Sequence, residues 1–523
     1  MAADSPVGRG FAPDSGVVQE PGAGLMLSAR LSAISFSRAP ALLLLVTIGL
    51  GLAWAPTMAA VLVIPAAIVL MLVFAKVEYG LYLLAFAVPF GFYRDVTIAT
   101  SAVTPTDGLI GLLLLSWLFK VVATRQVRLA RTPVLLALAI FLLSALPSAM
   151  AAESLSLFGK EMVKWLEFAV AYVVAVDLLA TRPRVLTLLL VLFLAGSLEA
   201  LYGWYQFLLH VGPPGFEVAG RFIRAFGTFG QPNPFAAYVA LVLTVAAGVL
   251  LGLRRPREMR DYLLAGAAAA TFLICLAALF MSMSRGAWLG FAAAALVMIV
   301  TAYRRALLLF VPIVLVIGLM TASGAWDVLP GAIVQRTTAA MSYFRIFDAR
   351  TTVVNSDNYP IVERMAYWQS AWEMFSVNPF FGTGFGNFPE VYPEYALPNW
   401  QGATAPHAHN YYLNILAETG GVGFIGYVVF IVTLGGVAAG AIRRASHKRA
   451  SPSEWHVGPI TGFGLALGVG GLLIVLLVHN VFDNLYVHSM TAQVGLMLGL
   501  LPALDVIEKR REFAGVGETW KLN

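Results

Sequence analysis

Long apolar runs separated by short polar connections organise this chain. Candidate spans fall at about 39–55, 57–75, 78–93, 104–122, 133–150, 166–180, 185–208, 234–253, 262–281, 287–302, 306–322, 420–441, 459–479 and 488–504. A bilayer core needs about 20 apolar residues per helix, and backbone polar groups there must be satisfied internally. The pattern therefore predicts an all-α, polytopic membrane helix bundle with 12–14 transmembrane helices. No internal repeat at a 20–50-residue period stands out. Residues 1–38, rich in Gly, Pro and Ala at their start, read as a disordered cytoplasmic tail, and 505–523 as a second tail. The first apolar run lacks a small-residue cleavage site, so it is expected to stay in the protein.

Lys and Arg in the short connections set the orientation. With the N-terminus in the cytoplasm, alternate connections carry Lys76, then Lys120 to Arg131, Arg182 with Arg184, Arg254 to Arg260, Arg304 with Arg305, Arg443 to Arg449, and finally Lys509 to Arg511. Every connection assigned to the cytoplasm is basic. Two longer connections fall outside: 209–233, and 323–419 between the eleventh and twelfth spans. The second carries amphipathic patterning around Glu363–Phe375 and reads as an ordered extracytoplasmic lid, where function tends to concentrate.

Composition agrees with this picture. The chain is 59% hydrophobic and only 12% charged, about half the charged share of a soluble domain. The net charge of +6 is absorbed by topology, so no nucleic-acid partner is expected. The single cysteine, Cys275, excludes a disulfide framework or a thiolate metal cluster.

Against that orientation some basic residues stand on the wrong side. Arg221 and Arg224 fall in the first outer connection, beside Gly227-Thr228-Phe229-Gly230-Gln231-Pro232-Asn233. Arg285 falls in the short outer turn Ser284-Arg285-Gly286. Such arginines either pair with Glu199, Asp107 or a lipid headgroup, or form an anion site; a guanidinium fork suits phosphate, and a lipid-borne diphosphate is the natural anion at that depth. Lys160 and Lys164 share an amphipathic stretch with Glu153, Glu161 and Glu167 and read as structural. The second outer connection ends in Pro406-His407-Ala408-His409-Asn410. With no third His or Cys near the pair, metal binding is not expected; a structural pair and a general base remain, and the neighbouring arginines favour the base. Asn410 either orients the histidine or caps the next helix. Glu199, His479 and Asp483 are boundary polar residues that would orient an arginine, line an acceptor groove or simply satisfy one another.

These segments resemble the O-antigen ligase and O-antigen polymerase superfamily of bacterial envelope glycan assembly. The resemblance covers roughly residues 100–500 and rests on His409-Asn410, nine residues, then Gly420-x-x-Gly423. It is supported by Arg224 to Phe229 with Pro232-Asn233, by Ser284 to Trp288, and by Arg364 to Trp368 followed by Asn378-Pro379 and Gly382 to Gly386. It implies about twelve spans with a large periplasmic loop, and metal-independent transfer from an undecaprenyl-diphosphate-linked glycan to a glycan or lipid acceptor at the outer face of the inner membrane, without cofactors. The family's essential histidine maps onto His409 and its arginines onto Arg224 and Arg285. Arg221 is the neighbouring alternative to Arg224, and His407 and Asn410 stand as substrate-binding candidates. A polymerase uses the same donor chemistry as a ligase. A transporter of lipid-linked glycan would favour repeated halves and mid-membrane polar residues, which the pattern lacks.

Overall fold

The computed structural model describes residues 57–91, 96–98, 101–127, 132–218, 222–306, 319, 347–355, 358–449 and 456–519. The expected tail 1–38, the span 39–55, nearly all of 306–322, and Arg221 lie outside the described residues. The chain divides into two units, residues 1–72 and 73–523. Helix α1 (Thr57–Ala75) runs across the division.

The described residues form an all-α membrane architecture with three short two-stranded hairpins. The helices are α2 (Val77–Ala87), α3 (Pro105–Thr124), α4 (Val134–Ala145), α5 (Leu155–Leu178), α6 (Arg182–Leu208), α7 (Pro232–Leu251), α8 (Met259–Met281) and α9 (Arg285–Ala302). They continue with α10 (Tyr359–Val377), α11 (Phe388–Tyr395), α12 (Tyr411–His447), α13 (Gly462–His479) and α14 (Met490–Thr519). The hairpins are β1–β2 (Val96–Ile98, Ser101–Val103), β3–β4 (Glu217–Val218, Phe222–Ile223) and β5–β6 (His456–Val457, Ile460–Thr461).

Among the described residues, eight helices are long and apolar enough to cross a bilayer: α3, α6, α7, α8, α9, α12, α13 and the first part of α14. Helix α5 starts at Leu155, well before the expected span at 166, because Lys160, Glu161, Lys164 and Glu167 interrupt the apolar run without breaking the helix; Ser154 caps it through Leu157 N. Lys164 pairs with Glu161 at 2.5 Å, the structural role expected of it. Helix α14 runs to Thr519, past the expected end at 504.

Helices α7 and α13 and the first part of α14 are buried over most of their length. Gly248 and Gly252 face Gly468 and Gly464: a Cβ on Gly248 would lie 2.3 Å from the Gly468 Cα, and one on Gly252 2.3 Å from the Gly464 Cα. Two small-x-x-x-small pairs thus bring the backbones into contact, the device that packs helices where lipid removes any hydrophobic drive. Helix α9 packs on α13, α5 on α14, and α4 on α12.

Helix α12 is broken at Gly420 (φ 63°). The loop after α10 crosses this break. Thr383 N and Gly384 N donate to the carbonyls of Ala417 and Glu418 (3.0 and 2.9 Å), while Gly421 N and Val422 N donate to Pro379 O and Phe380 O (2.8 and 3.2 Å). A Cβ on Gly420 would sit 2.3 Å from the Phe380 carbonyl carbon, and one on Gly382 2.4 Å from that of Glu418. The Gly-x-x-Gly and Gly-x-Gly-x-Gly segments are therefore two halves of one crossing. Substituting Gly468→Val should overpack the α7–α13 contact and cost about 1–3 kcal/mol, read as a lower thermal unfolding midpoint in detergent; an unchanged midpoint would show that the close approach carries no stability.

Candidate active site

Three separated segments meet at one end of α7, α9 and α13. The first is the connection between α6 and α7. Buried polar residues of α6 fix its shape: Gln206 Oε1 accepts from Phe226 N and Gly227 N (3.1 and 2.7 Å), and Glu199 accepts from Thr228 N (2.8 Å) and from Thr228 Oγ1 (3.0 Å). Glu199 thus holds a loop and not an arginine, while Asp107 is taken up in the capping box of α3 with Thr104.

Arg224 leaves this loop toward the next segment. Its Nε donates to Ser282 O (2.9 Å), and Ala225 N donates to Met281 O (3.0 Å). That clasp ties Arg224 to the turn from which Arg285 opens α9. The same turn is pressed against α13, since a Cβ on Gly286 would meet His479 Cδ2 at 2.8 Å and Phe482 Cβ at 3.1 Å. Burial, then the positive charges of Arg364 and Arg285, lower the Arg224 pKa to about 10, with Asp483 opposing. Arg224, Arg285 and Arg364 therefore share one electrostatic environment, and the guanidinium at 224 remains charged at neutral pH.

The third segment carries the histidines. Asn410 caps α12, its Oδ1 accepting from Tyr412 N and Leu413 N, both at 3.1 Å. Of the two roles open to it, capping is the one its side chain performs. His409 precedes the cap with φ 49°, and its ring stacks on Tyr367 of α10, centroids 5.9 Å apart. Its Nδ1 lies 3.1 Å from Asp483 Oδ1. A carboxylate only accepts, so Nδ1 carries the hydrogen and Nε2 of the neutral ring keeps its lone pair. His409 N in turn donates to His407 Nδ1 (3.1 Å), which leaves the His407 proton on Nε2, 3.8 Å from the same Asp483 oxygen. Burial and the neighbouring His409 push the His407 pKa down to about 4 against the pull of Asp483, so His407 is neutral at physiological pH.

Asp483 joins the segments. Its Oδ2 accepts from Asn233 Nδ2 (2.5 Å), and Asn233 Oδ1 accepts from Arg224 Nη2 (3.2 Å). A continuous path thus runs Arg224–Asn233–Asp483–His409. Burial opposes ionisation of Asp483, but the hydrogen bond from His409, with the neighbouring His407 and the Arg364 guanidinium, overcomes it and holds the carboxyl well below its ordinary range.

Of the residues expected from sequence, Arg224, Arg285, His407, His409 and Asn410 come to one place. Two more belong with them. Asp483 stands 74 positions from His409, and only its place among boundary polar residues marked it. Arg364 lies in a long connection, where basic residues carry no orientation signal. Beside the histidine pair, Asp483 from far along the chain offers a third potential ligand atom: those of His407, His409 and Asp483 lie within 4.8 Å of one another.

The fold and this cluster define a multi-pass helical membrane protein with a cationic, histidine-bearing site where helix ends meet. Residues 270–428 match the family model described as O-antigen ligase, and the match supports the O-antigen ligase superfamily, with ligase- or polymerase-like membrane function. The matched stretch contains Arg285, Arg364, both histidines and the Gly420 break; it begins after Arg224 and ends before Asp483. No curated protein matches the chain.

A depressed carboxyl contributes stability that is present above its unfolded pKa, about 4, and is lost as pH falls below it. The wild type should therefore lose thermal stability on acidification through that range. Asp483→Asn should start lower by roughly 1–3 kcal/mol and show a shallower acid loss. Identical pH–stability curves for the two proteins would rule out the buried carboxylate as the joint.

Proposed function

We propose that this protein transfers glycan from an undecaprenyl-diphosphate-linked donor to an acceptor hydroxyl at the outer face of the bacterial inner membrane. The observation that carries the reading is the Asp483–His409 contact placed beside Arg224, Arg285 and Arg364. A histidine whose Nδ1 is held by a carboxylate presents Nε2 as a base, the arrangement that fixes tautomer and stabilises the imidazolium in other hydrolases and transferases. Three guanidiniums against one carboxylate leave a net charge of +2 (three minus one), which suits a diphosphate.

In this mechanism His409 Nε2 takes the proton of the acceptor hydroxyl as its oxygen attacks the anomeric carbon. The bond from that carbon to the diphosphate oxygen breaks with inversion. The electron pair leaves on the lipid diphosphate, whose charge Arg224 and Arg285 meet. Asp483 steadies the imidazolium until the proton departs. The diphosphate leaves as a stable anion, so the step needs no nucleotide. The segment from α10 to His409 forms the outer cover in this orientation, with both termini cytoplasmic.

One observation favours a second reading, in which His407, His409 and Asp483 hold a divalent cation. Zinc bonds of about 2.0–2.2 Å would require Nδ1 of His409 to exchange its hydrogen bond for the metal. The hydrogen-bonded pair at 3.1 Å is complete without that exchange, and the metal-free route is preferred.

Purified His409→Ala should lose about 10²–10⁴ in transfer from a defined lipid-diphosphate oligosaccharide, and Arg285→Ala a comparable factor, with both proteins still inserted. Full activity of either variant removes its assigned role. Chelators should leave the wild-type rate unchanged, and strong inhibition would establish the metal reading. Product analysis separates the two members of the class: a glycan ladder growing on the lipid carrier marks a polymerase, a capped acceptor a ligase.

A further inference from the structure

At the other end of α7 lies a second cationic feature that the transfer chemistry does not use. Helix α7 has 20 residues, so its C-terminus stands about 30 Å from Asn233. There a cleft of about 510 Å³ is lined by Arg182, Arg254, Arg255, Arg257, Arg260 and His456. These residues come from three places: the first turn of α6 (Arg182), the α7–α8 connection running into the first turn of α8 (Arg254, Arg255, Arg257, Arg260), and the β5–β6 hairpin (His456).

Orientation alone calls for basic residues in a connection; it does not call for five guanidiniums from separate elements around one hollow. We propose that this cleft binds the headgroup of a membrane lipid carrying two phosphodiesters. Two carboxylates also line it, Glu258 and Asp261, which leaves a net charge of +3 (five minus two). Both are committed to backbone amides. They form the capping box of α8, and Asp261 Oδ2 also accepts from Arg257 N at 3.0 Å. Among the described residues, none of Arg254, Arg255, Arg257 and Arg260 makes an ion pair with a carboxylate. A headgroup with one phosphodiester would neutralise a third of the excess charge, and one with two would neutralise two thirds.

The walls of the cleft are built. Arg254 N donates to Pro459 O (2.8 Å), Arg254 Nη1 reaches His456 Nδ1 (3.2 Å), and Thr461 Oγ1 donates to Gly252 O (2.7 Å). The hairpin tip closes on α8, where a Cβ on Gly458 would meet Asp261 Oδ1 at 2.7 Å. Lipid, and not a soluble phosphate, is indicated by what adjoins the arginines. Met259, Tyr262 and Leu263, interleaved with Arg257 and Arg260, are 75%, 60% and 67% exposed. Charged heads beside an apolar, aromatic-bearing helix surface match an amphiphile at the membrane boundary, and basic pockets between helix ends are a recurrent site for such headgroups.

The test uses the full-length protein, delipidated in detergent and placed in phosphatidylcholine discs containing either cardiolipin or phosphatidylglycerol at equal phosphate content, with bound lipid read by native mass spectrometry. Wild type should retain cardiolipin at least about tenfold over phosphatidylglycerol, and the triple variant R255Q/R257Q/R260Q should lose that preference. Should the triple variant fail to fold, Arg255→Gln and Arg257→Gln alone should each weaken retention several-fold. Equal retention of the two lipids by the wild type, or unchanged preference in the variants, overturns the proposal. Displacement of cardiolipin by an equal concentration of inorganic pyrophosphate would assign the cleft to a soluble anion and overturn it likewise. The readout is lipid retention, so it is independent of whether the site at the opposite end transfers glycan.

Discussion

A single buried carboxylate holds the functional end of this molecule together. Asp483 is reached from one side by the imidazole of His409 and from the other by the amide of Asn233, which carries Arg224. An ionised group at that depth is tolerable only when its charge is met on every side. Its partners come from both halves of the chain, so meeting that charge also fixes the distance between the arginine loop and the histidine segment. The same contact that satisfies the carboxylate selects the histidine tautomer that leaves Nε2 available.

The packing beneath the site serves the same end by other means. Glycines at 248, 252, 464 and 468 let α7 and α13 touch backbone to backbone, so Asn233 at the start of α7 and Asp483 just beyond α13 are carried on two helices with little freedom to slide. Glu199 and Gln206, buried on α6, spend their hydrogen bonds on the loop that presents Arg224. The crossing at Gly420 locks the loop after α10 into α12 with four backbone hydrogen bonds. Through it, the helix bearing Arg364 and Tyr367 is tethered to the helix that His409 precedes. Polar groups in this molecule rarely serve as isolated contacts; each fixes a segment that carries another.

Much of this is legible in the amino-acid sequence alone. Apolar runs of spanning length located eight of the crossing helices, because the requirement for internally satisfied backbone is written in composition alone. Arg224 and Arg285 stood out because short connections are read by charge, and the amphipathic pattern around Glu363–Phe375 became α10. What stayed hidden depended on distance in the sequence or on exemption from the rule. Asp483 carries no local sign that its partner is His409. Arg364 sits where length removes the topological penalty on basic residues. The span expected at 166–180 begins too late, since an apolar run ends at Lys160, Glu161, Lys164 and Glu167 although helix α5 continues through them. Asn410 was open to two roles, and geometry assigned it to the helix terminus.

The backbone itself bears on how such a protein can change. Met283, His409, His488 and Ser489 all hold left-handed conformations without being glycine (φ 51°, 49°, 52° and 59°), and they flank Arg285, form the base, or close the connection that contains Asp483. Each such conformation costs of order 1 kcal/mol and persists only because its surroundings overdetermine it. Drift toward a sturdier chain would find its easiest gains at these four joints, and every gain taken there would let the reactive groups wander. The region around the site is thus held at a local thermodynamic disadvantage.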